Sequence, residues 1–243
     1  MKHPLWNRFL GIAFMGLIVV CYVIIIPPAQ LYLWIRNRKR EMAWLGNFYF
    51  KVAFRLFGVT PQVTGLENIP KGRAFIVLSN HQSFIDIGNL ISTICPLAFL
   101  AKKELFTTPG FGNSLKFMGC IPIDRGNRKA NEELPGLLQR RVREGHYNYC
   151  IFPEGTRSPD GQLLQFKNGI FKIIHSAPVP VLPVTLIDTG KVMPKRGLAL
   201  YRKHPRIVIH PIIEPEQIQQ WTQNEFRDHV RAAIESAVPT SST

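Results

Sequence analysis

Residues 74–86 read Ala74-Phe75-Ile76-Val77-Leu78-Ser79-Asn80-His81-Gln82-Ser83-Phe84-Ile85-Asp86. The apolar run 74–78 predicts a buried strand, and residues 87–91 predict the start of a helix. A histidine takes a proton near neutral pH, and a carboxylate on its second ring nitrogen fixes the tautomer and stabilises the imidazolium. Inside a helix, an offset of about 500° would point His81 and Asp86 apart. In a turn that enters a helix they can converge, so the stretch holds either a catalytic pair or a loop histidine beside a capping aspartate.

Strand and helix candidates alternate along the chain that follows residue 58. Apolar runs predict strands at residues 74–78, 97–101, 147–152, 179–185 and 206–210. Helical patterns occur at residues 87–94, 112–118, 130–144, 166–175 and 222–237. Such alternation is typical of an α/β domain with a largely parallel mixed sheet flanked by helices. In the last helix, Phe226, Val230 and Ile234 recur every fourth residue, so we expect them to pack on the domain.

A second informative stretch, residues 150–158, is an apolar strand that stops at Pro153. In α/β sheets, ligands collect outside the carboxyl ends of the strands, which is where Glu154 and Arg157 would lie. Arginine binds phosphate bidentately, and Gly155 permits a close backbone approach. The alternative is a surface turn with a local Glu–Arg pair.

Three shorter stretches carry weaker signals. Residues 119–126 contain a short extended piece that ends in Asp124-Arg125. Residues 179–184 form an apolar strand with two prolines, which predicts an edge strand or a pocket wall because proline does not suit a central ladder. Residues 101–105 add paired lysines after a strand, a pattern that usually marks a solvated charge run.

The N-terminus carries an uncharged apolar run at residues 9–26. At about 1.5 Å per residue it is just long enough to cross most of a hydrocarbon core of roughly 30 Å. It lacks a small-x-small cleavage site, so we expect an uncleaved membrane element rather than a signal peptide. Pro27-Pro28 should break the helix. Either a spanning helix or a re-entrant hairpin fits, and we predict an anchor over residues 1–57 and a catalytic domain over residues 58–243.

The composition favours an anionic partner. The chain has 243 residues, a formal net charge of +14 and a pI of about 10.0, which suits a membrane surface, nucleic acid or phosphorylated substrates. No helix-turn-helix or aromatic RNA motif appears, so we expect no nucleic-acid partner. The four cysteines are widely spaced, which indicates buried thiols rather than a zinc ribbon or a disulfide framework.

Four blocks, in this order and spacing, resemble the motifs of the glycerolipid acyltransferase family. They are Asn80-His81-x4-Asp86, Ile121-Pro122-Ile123-Asp124-Arg125, Phe152-Pro153-Glu154-Gly155-Thr156-Arg157-Ser158 and Val179-Pro180-Val181-Leu182-Pro183-Val184. The resemblance runs from about residue 58 to about residue 210. One departure is that Ile121-Pro122-Ile123 stands where many members carry a bulkier aromatic residue before Asp-Arg.

This resemblance implies a glycerol-3-phosphate acyltransferase-like fold and transfer of a fatty acyl group from acyl-CoA or acyl-carrier protein to the sn-2 hydroxyl of lysophosphatidic acid. It implies His81 as general base, Asp86 as its orienting partner, and direct attack on the thioester without an acyl-enzyme. Substrate-binding residues would be Lys102, Arg125, Glu154, Gly155, Thr156, Arg157 and Pro183. Beyond the thioester co-substrate we expect no cofactor and no metal. The resemblance also implies a bacterial inner-membrane location with the catalytic domain on the cytoplasmic face.

Alternatives keep part of this interpretation. The acceptor could be a lyso-ornithine lipid or another lysophospholipid. A metal-dependent hydrolase would need a third ligand cluster beside His81 and Asp86, and the sequence offers none. A non-catalytic protein that binds anionic lipid would explain the charge and the anchor, but it would leave the four blocks unexplained.

Overall fold

The computed structural model describes residues 3–36, 41–108, 111–124, 127 and 129–239 of the chain. The strands in this part are β1 Gln62–Thr64, β2 Ile76–Ser79, β3 Leu97–Lys102, β4 Ile121–Ile123, β5 Asn148–Ile151, β6 Val181–Ile187 and β7 Arg206–Ile209. They form one seven-stranded sheet in the order β1-β7-β6-β2-β5-β3-β4. β6, β2, β5, β3 and β4 are parallel to one another, and the β6–β7 pair is antiparallel. The expected mixed, largely parallel sheet is confirmed.

Helices cover both faces of the sheet. They are α1 Leu5–Val20, α2 Ile26–Ile35, α3 Glu41–Phe57, α4 Ile85–Thr93, α5 Phe111–Phe117, α6 Leu134–Arg143, α7 Asn168–Ser176, α8 Thr189–Val192, α9 Pro215–Gln220 and α10 Gln223–Glu235. α4 packs its Leu90 on one face of the sheet, whereas α6, α7 and α10 pack on the other. The five strands and five helices that the sequence predicts are present with ends displaced by a few residues. The predicted packing of the α10 stripe is confirmed because Phe226, Val230 and Ile234 are fully buried.

Pro183 lies in β6, which is a central strand, so the prediction of an edge strand is wrong. Proline lacks the N–H that a central ladder uses, and the sheet accommodates it at an irregularity. Val184 pairs with Ile209 and Val181 with Ile213, so two residues lie between the contacts on β6 but three on the neighbouring segment. The extra residue makes a bulge opposite Pro183, so the ladder needs no backbone N–H donor at this position.

The N-terminal helices are continuous across Pro27-Pro28. A π-helical turn, Cys21–Ile25, joins α1 to α2, so the predicted helix break is wrong. The prolines fall in the first turn of α2, and because the helix runs through them, the N–H groups that they lack would otherwise face acceptors in the preceding turn. The wider π turn before them is a common way to absorb such an irregularity.

Within the ranges given above, no helix is both long enough and apolar enough to cross a membrane.

The N-terminal helices pack on the α/β part through α3 and α4. Phe14 of α1 and Phe54 of α3 are fully buried in a cluster with Ile85 at the start of α4. Gly88 of α4 allows a close contact with α3, because any Cβ at this position would lie only 2.6 Å from the Phe50 ring. The first turn of α4 is therefore held between the sheet and the N-terminal helices. The predicted domain boundary at residues 57 and 58 stays a prediction.

Candidate active site

The turn that follows β2 is tied to β6 by the side chain of Asn80. Its Oδ1 accepts the N–H of Leu186 at 2.7 Å, and its Nδ2 donates to the Leu186 carbonyl at 2.8 Å. Asn80 is almost completely buried. The amide therefore continues the β2–β6 ladder one step beyond the end of β2, and the chain can turn away toward α4 without losing those hydrogen bonds.

One carboxylate oxygen organises the rest of the turn. Oδ2 of Asp86 accepts the backbone N–H of Gln82 at 2.7 Å and that of Ser83 at 2.8 Å, and it lies 2.8 Å from Nδ1 of His81. Asp86 is the second residue of α4 and is fully buried. With an ionised carboxylate as acceptor, we assign the proton to Nδ1, so that Nε2 of the neutral imidazole keeps its lone pair.

The His81 ring lies at the surface end of this arrangement. It stacks on Phe152, with ring centroids 4.0 Å apart and planes inclined by 13°, and the side chain is 17% exposed. Nε2 has no hydrogen-bond partner among the residues that the structure describes. The two side chains converge because His81 lies in the turn and Asp86 lies in the first turn of the helix. The structure thus has the geometry of a catalytic pair, with the basic nitrogen available to a substrate.

The turn after β5 holds the main chain of His81 on both sides. Oε1 of Glu154 accepts the His81 N–H at 3.0 Å, while Oε2 lies 3.4 Å from the N–H of Leu164. The N–H of Ser158 donates to the His81 carbonyl at 2.7 Å. Glu154 therefore does not pair locally with Arg157. It joins the second informative stretch to the first, and the local Glu–Arg alternative is wrong.

Glu154 is nearly fully buried, which affects its protonation. Burial raises the pKa of its carboxyl from 4.5 to about 7, against the lowering effect of the N–H groups of His81 and Leu164. The nearby Asp86 carboxylate raises it further, and Arg231 lowers it. The carboxyl of Glu154, with a pKa of about 7, therefore titrates close to neutral pH.

The turn that contains Gly155 and Arg157 is cationic and lies next to the dyad of His81 and Asp86. Gly155 has φ +68°, a left-handed conformation that favours glycine, and Nζ of Lys167 lies against it, 2.9 Å from where a Cβ would be. The carbonyl of Arg157 accepts Nζ of Lys195 at 2.6 Å, whereas its partly exposed guanidinium pairs with no described residue. Thr156, between them, is exposed.

The remaining predicted site residues are distributed differently. Lys102, at the carboxyl end of β3, lies 3.3 Å from Glu104 in an exposed ion pair. Arg125 lies outside the described residues. Pro183 is buried within the sheet, so it offers no surface to a substrate here. β6 contributes to the site through its backbone two residues beyond the fourth block, since the Leu186 carbonyl also accepts Nε2 of Gln82 at 3.0 Å.

Several contributors to the site were missed from the sequence. Phe152 and Ser158 lie inside a motif, and their proximity to it was the only available signal. Lys167 is indicated by the stretch Phe166-Lys167-x-Gly169, which resembles the family's continuation of the third block, but the resemblance gives it no definite role. Lys195 is in an irregular segment with no pattern that points to it.

Neighbouring nucleophilic side chains are engaged, buried or remote. Ser83 is fully buried, and its Oγ donates to the Met193 carbonyl at 2.6 Å. Cys120 and Cys150 are buried, and Cys95 precedes β3 at the opposite, amino end of the sheet. Within the described residues, no group of three or more His, Cys, Asp or Glu side chains could hold a metal ion.

Comparisons with known proteins agree with the motifs. The profile of the family described as Acyltransferase matches residues 60–187. The 1-acyl-sn-glycerol-3-phosphate acyltransferase BAT2, chloroplastic, of Brassica napus is 33% identical over 212 residues, which cover 84% of this chain and 61% of that protein. The chain thus spans about three fifths of the length of this plant relative.

Bacterial relatives are closer in length. The 1-acyl-sn-glycerol-3-phosphate acyltransferase of Borreliella burgdorferi is 31% identical over 196 residues, which cover 78% of this chain and 76% of that protein. The crystal structure of the 1-acyl-sn-glycerophosphate (LPA) acyltransferase PlsC from Thermotoga maritima has a TM-score of 0.82 at 29% identity, and the match covers 95% of this chain and 94% of that chain. The likeness therefore includes the N-terminal helices as well as the sheet.

The buried carboxyl of Glu154 makes a prediction about stability. The pKa of this carboxyl is raised from 4.5 to about 7 on folding. Between these pH values the folded state therefore binds more protons than the unfolded chain, and the contribution of Glu154 to the unfolding free energy falls as pH rises. Glu154→Gln cannot ionise, so the difference in unfolding free energy between variant and wild type should shift in favour of the variant by roughly 2 to 3 kcal/mol from pH 5 to pH 8. Urea denaturation at several pH values measures it.

Glu132→Gln, which changes an exposed carboxylate, is the matched control and should run parallel to wild type. Parallel curves for Glu154→Gln and wild type would contradict the raised pKa.

Proposed function

The chain belongs to the acyltransferase family, and on that premise we propose that it acylates the sn-2 hydroxyl of 1-acyl-glycerol-3-phosphate and so produces phosphatidic acid. The acyl group comes from a thioester, either acyl-CoA or acyl-carrier protein. The observation that carries the proposal is the pairing of His81 with Asp86 beside the cationic turn at Arg157. It brings a base for a hydroxyl and a cation for a phosphate to one edge of the sheet.

His81 acts as the general base. With Nδ1–H donating to Asp86, Nε2 takes the proton of the acceptor hydroxyl as its oxygen attacks the thioester carbonyl carbon. The imidazolium that forms lies 2.8 Å from a buried carboxylate, which stabilises the positive charge and keeps the ring oriented. Stacking on Phe152 restricts rotation of the ring.

The tetrahedral intermediate then collapses. The C–S bond breaks, and the leaving thiolate takes the proton from the imidazolium, so the base is regenerated in each cycle. Direct transfer is supported by the state of Ser83, whose buried hydroxyl donates to Met193 and is not directed at the dyad. No cofactor beyond the thioester co-substrate enters this scheme.

Donors for the oxyanion and the phosphate come from what the site leaves uncommitted. The amides of His81, Gln82 and Ser83 all donate to carboxylates. In the described part of the chain, the N–H groups of Thr156 and Arg157 have no such acceptor. We assign these two amides, which follow the left-handed Gly155, to an anionic oxygen of the substrates.

Arg157 and Lys167 supply the charge for the acceptor phosphate. Neither side chain pairs with an acidic group among the described residues, and both lie at the Gly155 turn. Arginine matches a phosphate in a bidentate manner. Lys102 would join them by exchanging its exposed pair with Glu104, which contributes little stability. Arg125, for which the structure describes nothing, keeps its predicted role only from its motif.

Lipid substrates call for a membrane surface, and the N-terminal helices have a suitable face. Four residues spaced every fourth position along α3 are exposed and apolar: Trp44, Phe48, Val52 and Leu56. α1 adds exposed Trp6 and Phe9. Exposed patches of this kind mark interaction surfaces, and an amphipathic helix can bind in the plane of a membrane interface. We propose that this face holds the enzyme on the cytoplasmic side of the membrane.

A second acceptor class keeps the same chemistry. A lyso-ornithine lipid or another lysophospholipid would use His81 in the same way. The ornithine lipid has no phosphate for the two unpaired cations to bind, and the phosphodiester of another lysophospholipid carries less negative charge than the phosphomonoester of lysophosphatidic acid. The non-catalytic alternative, a membrane-bound protein that binds anionic lipid, would use the cations and the apolar face. It does not account for the buried hydrogen bonds that orient His81.

We expect thiol release from oleoyl-CoA by the detergent-purified protein to require lysophosphatidic acid and to fall roughly a thousandfold in His81→Ala, because the base is lost. His146→Ala, which changes an exposed histidine away from the site, should retain wild-type turnover. Release with a lyso-ornithine lipid only would move the enzyme to the second acceptor class. Unchanged turnover in His81→Ala would contradict the mechanism.

We expect Arg157→Ala to raise the KM for lysophosphatidic acid about tenfold to a hundredfold, because a charge-assisted hydrogen bond to phosphate is lost. The KM for the thioester should change far less. Arg143→Ala, an exposed arginine at the end of α6, is the control for net charge. Equal increases in both KM values would refute the phosphate role of Arg157.

A further inference from the structure

The second oxygen of the Asp86 carboxylate has an unusual environment. Oδ2 accepts three hydrogen bonds, but Oδ1 is buried and has no hydrogen-bond partner among the described residues. The side chain of Asn89 is in the same condition, since both its Oδ1 and its Nδ2 are buried without a partner there. Asn89 and Asp86 are each 0% exposed. Buried polar groups are almost always hydrogen-bonded in folded proteins, so these unpartnered atoms need an explanation.

The two residues are neighbours on α4. A spacing of three residues places side chains on the same face of a helix, one turn apart. The hydroxyls of Ser92 and Thr93, further along the helix, donate to the backbone carbonyl of Asn89 at 2.9 and 2.8 Å and are therefore not available to its side chain. The helical spacing thus places an unused polar group of Asp86 and one of Asn89 on the same buried face of α4.

The position of Oδ1 sets the orientation of the Asp86 carboxylate plane, which the hydrogen bonds to Oδ2 leave free. Three donors fix the position of Oδ2, but the plane of the carboxylate can still pivot about that atom. Hydrogen bonds to an sp² oxygen are best near the plane of the group, so the alignment of Oδ2 with Nδ1 of His81 depends on where Oδ1 is held. A donor on Oδ1 also stabilises the ionised carboxylate, on which the imidazolium depends.

We propose that Asn89 is a positioning residue of the dyad and that one buried water molecule joins its Nδ2 to Oδ1 of Asp86. The water accepts the amide hydrogen and donates to the carboxylate, which gives it the two or more polar partners that a buried water needs. The inference deepens the proposed acyl transfer and rests on it. It adds a residue that belongs to none of the four motif blocks.

Asn89→Leu tests the role because leucine has a similar volume and no donor. We expect kcat to fall about tenfold to a hundredfold, as for a misplaced catalytic group, while the KM values for both substrates stay within about twofold. Asn89→Ser, which restores a short donor, should recover part of the loss.

The matched control is Asn47→Leu. Asn47 is buried on α3, and its Nδ2 donates to the Ile91 carbonyl of the same helix α4 at 2.8 Å, but it does not touch the dyad. It should lower the melting temperature and leave kcat unchanged. A wild-type kcat in Asn89→Leu, or an equal loss in Asn47→Leu, would overturn the inference.

A second measurement stands even if Asn89→Leu fails to fold. A high-resolution crystal structure of the wild-type protein should contain a water within hydrogen-bond distance of both Asp86 Oδ1 and Asn89 Nδ2, and its failure to appear there would overturn the proposal. Wild-type protein that releases no thiol with any acceptor would instead refute the proposed function and leave this structural test intact.

Discussion

The site depends on one buried oxygen atom, Oδ2 of Asp86, which accepts hydrogen bonds from the imidazole of His81 and from the backbone N–H groups of Gln82 and Ser83. An ionised carboxylate without donors would be too costly to bury. The turn therefore has to wrap around it in one conformation, and that conformation brings a histidine five residues earlier in sequence into contact with its partner. The same three bonds define where α4 begins and which nitrogen of His81 stays free.

Two other segments hold this turn from outside. β6 fixes it through the Leu186 backbone, which pairs with the Asn80 amide, and the loop after β5 fixes the His81 main chain through Glu154 and Ser158. These segments are distant in sequence but converge because the parallel strands β2, β5 and β6 end at one edge of the sheet. The site therefore forms because the strands carrying the motif blocks end at one edge of the sheet. The hydrogen bonds of Glu154 and Ser158 with the His81 main chain also bring the cationic Gly155 turn next to His81.

The sequence was informative where local physics decides the outcome. Apolar runs located the central strands, and the turn between strand and helix correctly predicted that His81 and Asp86 can converge. It failed where tertiary context decides. Because proline lacks an N–H, the sequence predicted an edge strand at Pro183, but a bulge in the segment that pairs with β6 allows the proline in a central strand. The sequence left a local Glu154–Arg157 pair open as the alternative to a ligand site, and only the fold shows that the buried carboxylate accepts a backbone N–H of another segment. Neither Lys195 nor Asn89 carries a local pattern, because their roles depend on contacts across the fold or on buried neighbours.

The most direct test of this account is the turnover of Asp86→Asn, since asparagine keeps the volume and an acceptor oxygen but removes the charge. If the carboxylate both sets the tautomer of His81 and stabilises its protonated form, kcat should fall about a thousandfold or more. The circular dichroism spectrum of the variant should match that of the wild type. A folded variant with turnover within a few fold of wild type would contradict the central role of that carboxylate.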